Sequence, residues 1–280
     1  MPRMNPLTSR RHPFVLRCRE LAGGRRAADA EVLLDGPHLI EDALAAGVEI
    51  LAVAVGPRLL DEPATQGLLV ALQAGAAEVF AATESVLEAA SPVRSPSGIV
   101  ALARFALAGP ERVFAAGSGV VLGGIGLQDP GNVGAIIRTA DAAGATGMVV
   151  TQGSADPLGW KALRGSTGSA FRLPLAAGLT ALETCVLARA QGLQVIATCP
   201  ADGQDVHDVD LTQPLLLLLG GEGPGLTDEL LAQADTRLRI PLRAPVESLN
   251  VAVAAGIILF EVRRQRQLAQ RRGGDRAASQ

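Results

Sequence analysis

Residues 215–219 are five consecutive leucines, and they run straight into Gly220-Gly221-Glu222-Gly223-Pro224-Gly225. A run that short falls far below the roughly 20 residues that a membrane-spanning helix needs. It reads instead as a buried strand, and it has company. Residues 120–122, 148–150, 193–198 and 238–240 are short apolar segments of the same kind. Between them lie helices at 132–143, where Val133, Ile136, Ile137 and Ala140 follow helical spacing, and at 179–191. Apolar strands alternating with helices imply a parallel sheet covered on both faces. A long apolar helix follows the last strand, with Ser248 as its expected N-cap.

The first hundred residues show the alternation on a smaller scale. Residues 9–30 carry Leu16 and Leu21 among arginines and read as a basic helix ending near Gly23-Gly24. Strands at 31–34, 50–55, 78–81 and 99–105 alternate with helices at 37–46, 66–74 and 84–90. Gly109-Pro110 and Gly117-Ser118-Gly119 then mark a break. The chain therefore divides into a small α/β domain (1–106), a linker (107–118), a larger α/β domain (119–270) and a disordered tail (271–280).

With 48% hydrophobic and 19% charged residues, a chain of 280 can bury a sizeable core and is not of the disordered class. No apolar stretch follows the N-terminal arginines as a secretory leader requires. Cys18, Cys185 and Cys199 make neither a CxxC nor an even disulfide set, and His12, His38 and His207 are scattered. No metal, no membrane and a reduced cytoplasmic setting are the expectation. The net charge of −3 is unevenly spread: residues 1–28 hold seven Arg against Glu20, and residues 263–276 hold six Arg against Asp275. An acidic body with two basic ends suits local contacts to nucleic-acid phosphates. Two solvated charged ends describe it equally, and for 270–280 that is the preferred reading.

Three segments carry the chemistry. Residues 127–144 read Leu-Gln-Asp-Pro-Gly-Asn-Val-Gly-Ala-Ile-Ile-Arg-Thr-Ala-Asp-Ala-Ala-Gly, residues 215–226 are the leucine strand and its glycine loop, and residues 239–262 hold Ile240-Pro241 and Glu247-Ser248-Leu249-Asn250-Val251-Ala252-Val253-Ala254. Taken singly, each has an ordinary explanation. Asn132 can cap a helix, Arg138 can pair with Asp141, and Ser248 can cap a core helix. The glycine loop is neither GxGxxG nor GxxxxGK[ST], and Glu222 within it would repel phosphate, which argues against a nucleotide-dependent oxidoreductase. A cationic ligand without phosphates is compatible with it.

In this order and spacing the three segments resemble the signature motifs of the SpoU family of RNA 2′-O-ribose methyltransferases, within the SPOUT superfamily. The resemblance implies a parallel SPOUT sheet with a C-terminal trefoil knot, preceded by a small α/β RNA-binding domain like a ribosomal-protein fold. It implies S-adenosylmethionine as cofactor, held by Gly220, Ile240 and Leu249 with Thr198 as a neighbour. It implies catalytic roles for Asn132, Arg138, Glu222, Ser248 and Asn250, with Arg138 set against the substrate ribose and phosphate. Ribosomal RNA is expected as substrate before tRNA, and a factor that binds RNA without catalysis is the alternative of another class. Relatives often have Glu-Gly where this chain has Asp35-Gly36.

Basic residues in two places are expected at RNA: Arg10, Arg11 and Arg17 in the first helix, and Lys161 and Arg164, with Ser169, in the segment 161–172, which is similar to its family counterpart. A homodimer is implied too. The final helix is apolar on several faces, with Ala252, Ala255 and Gly256 as a small-residue stripe and Val251, Val253 and Ile257 elsewhere around it. Such a helix is buried from more than one direction, by its own chain and by a second copy.

Overall fold

The computed structural model describes residues 4–24, 30–115, 119–223 and 225–277. Arg25, Arg26, Gly117, Ser118, Pro224 and residues 278–280 lie outside them. The chain forms two units, one of residues 1–106 and 158–172, the other of residues 107–157 and 173–280.

The first unit is a mixed five-stranded sheet with helices on both faces. In chain order it has β1 (Asn5–Leu7), α1 (Pro13–Ala22), β2 (Glu31–Asp35), α2 (Pro37–Ala45), β3 (Glu49–Val55), α3 (Pro57–Leu60), α4 (Pro63–Ala74), β4 (Glu78–Ala82), α5 (Glu84–Ala90) and β5 (Ile99–Arg104). The strand order is β1-β4-β3-β5-β2, with β5 antiparallel to both its neighbours. α1 starts at Pro13 because His12 caps it through Nδ1 and proline is at ease at the first helical position. Its Phe14, Val15, Cys18 and Leu21 bury against Leu33, Phe80 and Leu102 of the sheet. Asp35, at the end of β2, is buried and accepts hydrogen bonds from Ser91 (2.6 Å) and Ser97 (2.8 Å). A buried carboxylate needs such donors, so here it ties down the loop before β5.

The second unit begins within the expected linker. α6 (Pro110–Phe114) puts Val113 and Phe114 into the core of this unit beside Val121 and Val149, so that stretch is packed structure rather than a spacer. There follow β6 (Val120–Ile125), α7 (Pro130–Ala143) and β7 (Gly147–Val150). The chain then contributes α8 (Trp160–Ser166) and a 3-10 turn (Ser169–Phe171) to the first unit. On its return it makes β8 (Leu175–Ala177), α9 (Ala181–Ala190), β9 (Gln194–Thr198), β10 (Gln204–Asp205), β11 (Leu215–Gly220), α10 (Asp228–Gln233), β12 (Thr236–Arg239) and α11 (Val251–Ala277).

All seven strands of this sheet are parallel, in the order β10-β12-β9-β11-β6-β7-β8. The leucine run is β11, at the sheet centre, and all five of its leucines are buried. Leu216 and Leu218 face the layer of α6, α9 and α10. By alternation Leu215, Leu217 and Leu219 face the opposite layer, where α7 and α11 pack on each other. α11 runs to Ala277. One expectation needs correction. α11 starts at Val251, not at Ser248: the Asn250 Oδ1 accepts from the backbone N–H of Ala252 (2.9 Å) and Val253 (3.3 Å), which makes Asn250 the cap. Among the described residues no helix is long and apolar enough to cross a membrane.

Candidate active site

The loops leaving the carboxyl ends of β9, β11 and β12 converge with the first turns of α11, where open parallel sheets place ligands. They enclose a cavity of about 500 Å³, a size suited to a small organic ligand. Its walls include Thr198 and Cys199 after β9, Gly220 to Gly223 after β11, Ile240 and Leu242 after β12, and Ser248, Leu249 and Asn250 ahead of α11.

The glycines here are demanded by close backbone approach. A Cβ on Gly221 would lie 2.1 Å from the Gly126 carbonyl oxygen, and one on Gly220 only 2.7 Å from the Leu226 nitrogen. Both distances are well inside contact, so the loop after β11 can hug the end of β6 at Gly221 and fold back on Gly220 only without side chains there. Gly221 N–H indeed donates to the Ile125 carbonyl at 2.8 Å.

At the mouth a chain of hydrogen bonds links all three motifs. Asn132, in the first turn of α7, donates through Nδ2 to Glu222 and accepts at Oδ1 from Asn250 Nδ2 (3.0 Å). Glu222 also accepts from the Gln128 backbone N–H at 3.4 Å. These donors, its own backbone N–H foremost, hold the Glu222 carboxyl below the ordinary carboxylate range. Asn132 is not the cap of α7. Asp129 takes that place by accepting from Gly131 N–H at 2.8 Å, which leaves the Asn132 amide for Glu222 and Asn250.

The expected cofactor residues Thr198, Gly220, Ile240 and Leu249 all line the cavity, and so do Glu222, Ser248 and Asn250. Ser248, relieved of capping, is exposed. Arg138 lies on the solvent side of α7 and, among the described residues, has no hydrogen bond or ion pair; the pairing with Asp141 is not formed. It does not line the cavity. Cys199, Glu247 and Leu226 do, although no single-sequence signal marks them beyond standing next to Thr198, Ser248 and the glycine loop.

The expected RNA residues lie in the first unit. Arg10, Arg11, Lys161 and Arg164 are exposed. Arg17 is turned inward, ion-paired with Glu31 and, at 2.8 Å, with Glu20. Ser169 is buried and receives a hydrogen bond from Arg172 at 3.1 Å, which takes it away from solvent. Among the described residues no group of three or more His, Cys, Asp or Glu could hold a metal ion.

Comparison with known proteins agrees with this geometry. Residues 119–260 match the model of the SpoU rRNA Methylase family, and residues 19–101 match the MRM3-like substrate binding domain. An uncharacterized tRNA/rRNA methyltransferase of Synechocystis is 35% identical over 278 residues, 95% of this chain and 96% of that one. The 23S rRNA (guanosine(2553)-2′-O)-methyltransferase of Bacillus subtilis is 32% identical over 82% of this chain and 88% of that one. Among solved structures, the AdoMet-bound rRNA methyltransferase from Sinorhizobium meliloti superimposes with a TM-score of 0.83 at 31% identity, covering 93% of this chain and 98% of that one.

Proposed function

Because the chain belongs to the SpoU rRNA methylase family, we propose that it transfers a methyl group from S-adenosylmethionine to a ribose 2′-oxygen of ribosomal RNA. The observation that carries this reading is the Glu222–Asn132–Asn250 hydrogen-bond chain at the mouth of a cavity that the three motifs build together.

The cavity fits the cofactor. Its volume is right, its walls are largely backbone and aliphatic, and the charged groups among its lining residues are the carboxylates Glu222 and Glu247, acceptable to a sulfonium and adverse to a phosphate. Bound there, S-adenosylmethionine supplies an electrophilic methyl group. The new bond is O2′–CH3, the broken one is methyl–sulfur with its electron pair left on sulfur, and the hydroxyl proton is released. Within the chain, Thr198, Gly220, Ile240 and Leu249 hold the cofactor, while Glu222, Asn132 and Asn250 keep the two loops and α11 in register. Such alignment of two reactants is worth several kcal/mol of barrier, of order 7 or more in well-oriented cases. The part of Arg138 is to position the nucleotide and stabilise the charge that develops on the 2′-oxygen.

The small unit recognises the RNA, with Arg10 and Arg11 exposed for phosphates. The working form is a homodimer in which residues of both copies serve each site, in keeping with an Arg138 that is exposed and does not line its own chain's cavity. A trefoil knot at α11 and a cytoplasmic setting complete the reading. The direct test is transfer of labelled methyl to unmodified 23S rRNA with mapping of the modified ribose. No label on any ribose would reject it.

A further inference from the structure

The family models divide the chain at residues 19–101 and 119–260, yet the structure gives residues 158–172, from the middle of the second span, to the first unit. The attachment is intimate. α8 packs on β2, the edge strand of its sheet. Trp160 joins the core cluster of Phe14, Cys18 and Leu33. Phe171 meets Phe105 edge to face with centroids 5.1 Å apart. Gly168, at φ +78°, lies so close to α2 that a Cβ on it would be 2.4 Å from the Asp42 carboxylate.

This segment changes the electrostatics of the unit it completes. Residues 1–106 hold ten Arg and no Lys against twelve Asp and Glu, a balance of −2. Residues 158–172 hold Lys161, Arg164 and Arg172 with no acid, so the completed unit reaches +1. Lys161 and Arg164 stand three residues apart on α8, both exposed. The Lys161 ammonium lies 5.5 Å from the centroid of the Trp160 ring, and Trp160, half-buried, packs against the core cluster. Arg164 has no hydrogen bond or ion pair among the described residues. Two exposed cations one helical turn apart, neither neutralised by an acid, fit a polyanion backbone.

We infer that α8 is part of the RNA-binding surface of the first unit, Lys161 and Arg164 contacting backbone phosphates of the substrate RNA. The inference rests on the proposed activity and narrows it to one surface. It is tested in the full chain with Lys161→Gln/Arg164→Gln, against Arg104→Gln/Arg189→Gln, which removes two charges already paired with Glu49 and Asp235. Binding of unmodified 23S rRNA transcript is followed across a salt series, with cofactor affinity measured in parallel. The α8 variant is expected to bind RNA more weakly and to lose roughly 1.4–1.8 from the slope of log K against log salt, as two phosphate contacts require. Cofactor affinity and the control variant's slope stay at wild-type values. An unchanged slope in the α8 variant, with wild-type protein binding and methylating normally, overturns the inference and leaves the activity standing. Wild-type protein that neither binds nor methylates the RNA overturns both.

Discussion

Asn250 donates from Nδ2 to Asn132 Oδ1 at 3.0 Å, joining residues 118 positions apart in the chain. Each amide has its orientation set by what lies on its other side. The Asn250 oxygen is committed to two backbone N–H groups of α11, so its nitrogen must face Asn132. A carboxylate only accepts, so Glu222 takes the Asn132 nitrogen and leaves the oxygen for Asn250. The three motifs are thus one polar network, with a direction that substitution can interrupt at a chosen point.

Asn250→Asp interrupts it cleanly. Aspartate caps a helix as well as asparagine does, so α11 keeps its start while the donor to Asn132 is lost. Thermal stability should move little, and single-turnover methyl transfer should fall on the order of 100-fold, the scale expected when reacting groups shift by an ångström. A variant that melts normally and transfers methyl at the wild-type rate would remove the network from the mechanism.

Arg138→Ala separates binding from transfer. The side chain is exposed and does not line the cavity. Cofactor affinity by calorimetry should therefore hold while the transfer rate drops steeply. Equal loss of cofactor affinity would contradict the role given to Arg138.

Cys199 reports where the cofactor sits. It lines the cavity and is half-buried, whereas Cys18 and Cys185 are fully buried. Burial pushes all three thiols up, so each reacts slowly, and Cys199 alone within reach of a reagent. With cofactor at ten times its dissociation constant, alkylation of Cys199 should slow about tenfold, because only the free fraction reacts. Labelling followed by mass spectrometry decides it, and an unprotected Cys199 would place the cofactor elsewhere.

Glu261 makes stability depend on acid. It is 8% exposed and holds Arg264 by two hydrogen bonds of 2.6 and 2.8 Å, with Gln265 at 2.9 Å. Arg264, then Gln265, bring its carboxyl down to about 2. A depressed carboxylate contributes stability above its unfolded value that is lost as pH falls through the folded one, here between about 4.5 and about 2. Glu261→Gln should cost about 2–3 kcal/mol at pH 7, a difference that fades across that window. Urea unfolding at several pH values measures it; a pH-independent difference would mean packing, not charge, is responsible. Gln265 extends the same cluster, pairing with Leu211 N–H (2.9 Å) and the Val209 carbonyl (3.1 Å) as an adjoining strand would.

What the chain alone revealed follows the range of the forces involved. The strands and helices with strong periodicity, β11 and α7 among them, are legible because burial on both faces or on one stripe writes itself into consecutive residues. β1 is not: Asn5-Pro6-Leu7 becomes a strand only by pairing with Phe80, Ala81 and Ala82. α6 is too short at five residues for a period to show. The sequence points to Ser248 as the cap of α11, but serine and asparagine cap equally well and only the fold decides for Asn250. The site residues follow from the resemblance of the three motifs to the SpoU family, but their hydrogen bonds span 90 and 118 positions and no local pattern encodes them. The transfer of residues 158–172 to the first unit is of the same kind, since the packing of Trp160 on the Phe14 and Leu33 cluster and of Phe171 on Phe105 is long-range.

The dimer is expected on a different stripe of α11 from the one that small residues mark. Ala255 is fully buried, and Gly256 faces Thr139 of its own chain, where a Cβ would sit at an ordinary 3.6 Å. Gly256→Ala should accordingly be tolerated and even stabilise by up to about 1 kcal/mol through helix propensity. The stripe left over is Val253, Ile257 and Phe260, at i, i+4 and i+7, exposed to 52%, 39% and 50%. Three large apolar side chains along one exposed helix face, flanking the cavity mouth at Asn250 and Val251, are what a second copy would cover. Phe260→Asp puts an unpaired charge within that contact, which a buried interface does not accept. Light scattering should find dimers for the wild type and Gly256→Ala and monomers for Phe260→Asp. Methyl transfer should fall with the dimer, while a monomeric wild type that is fully active at assay concentration would exclude a shared site.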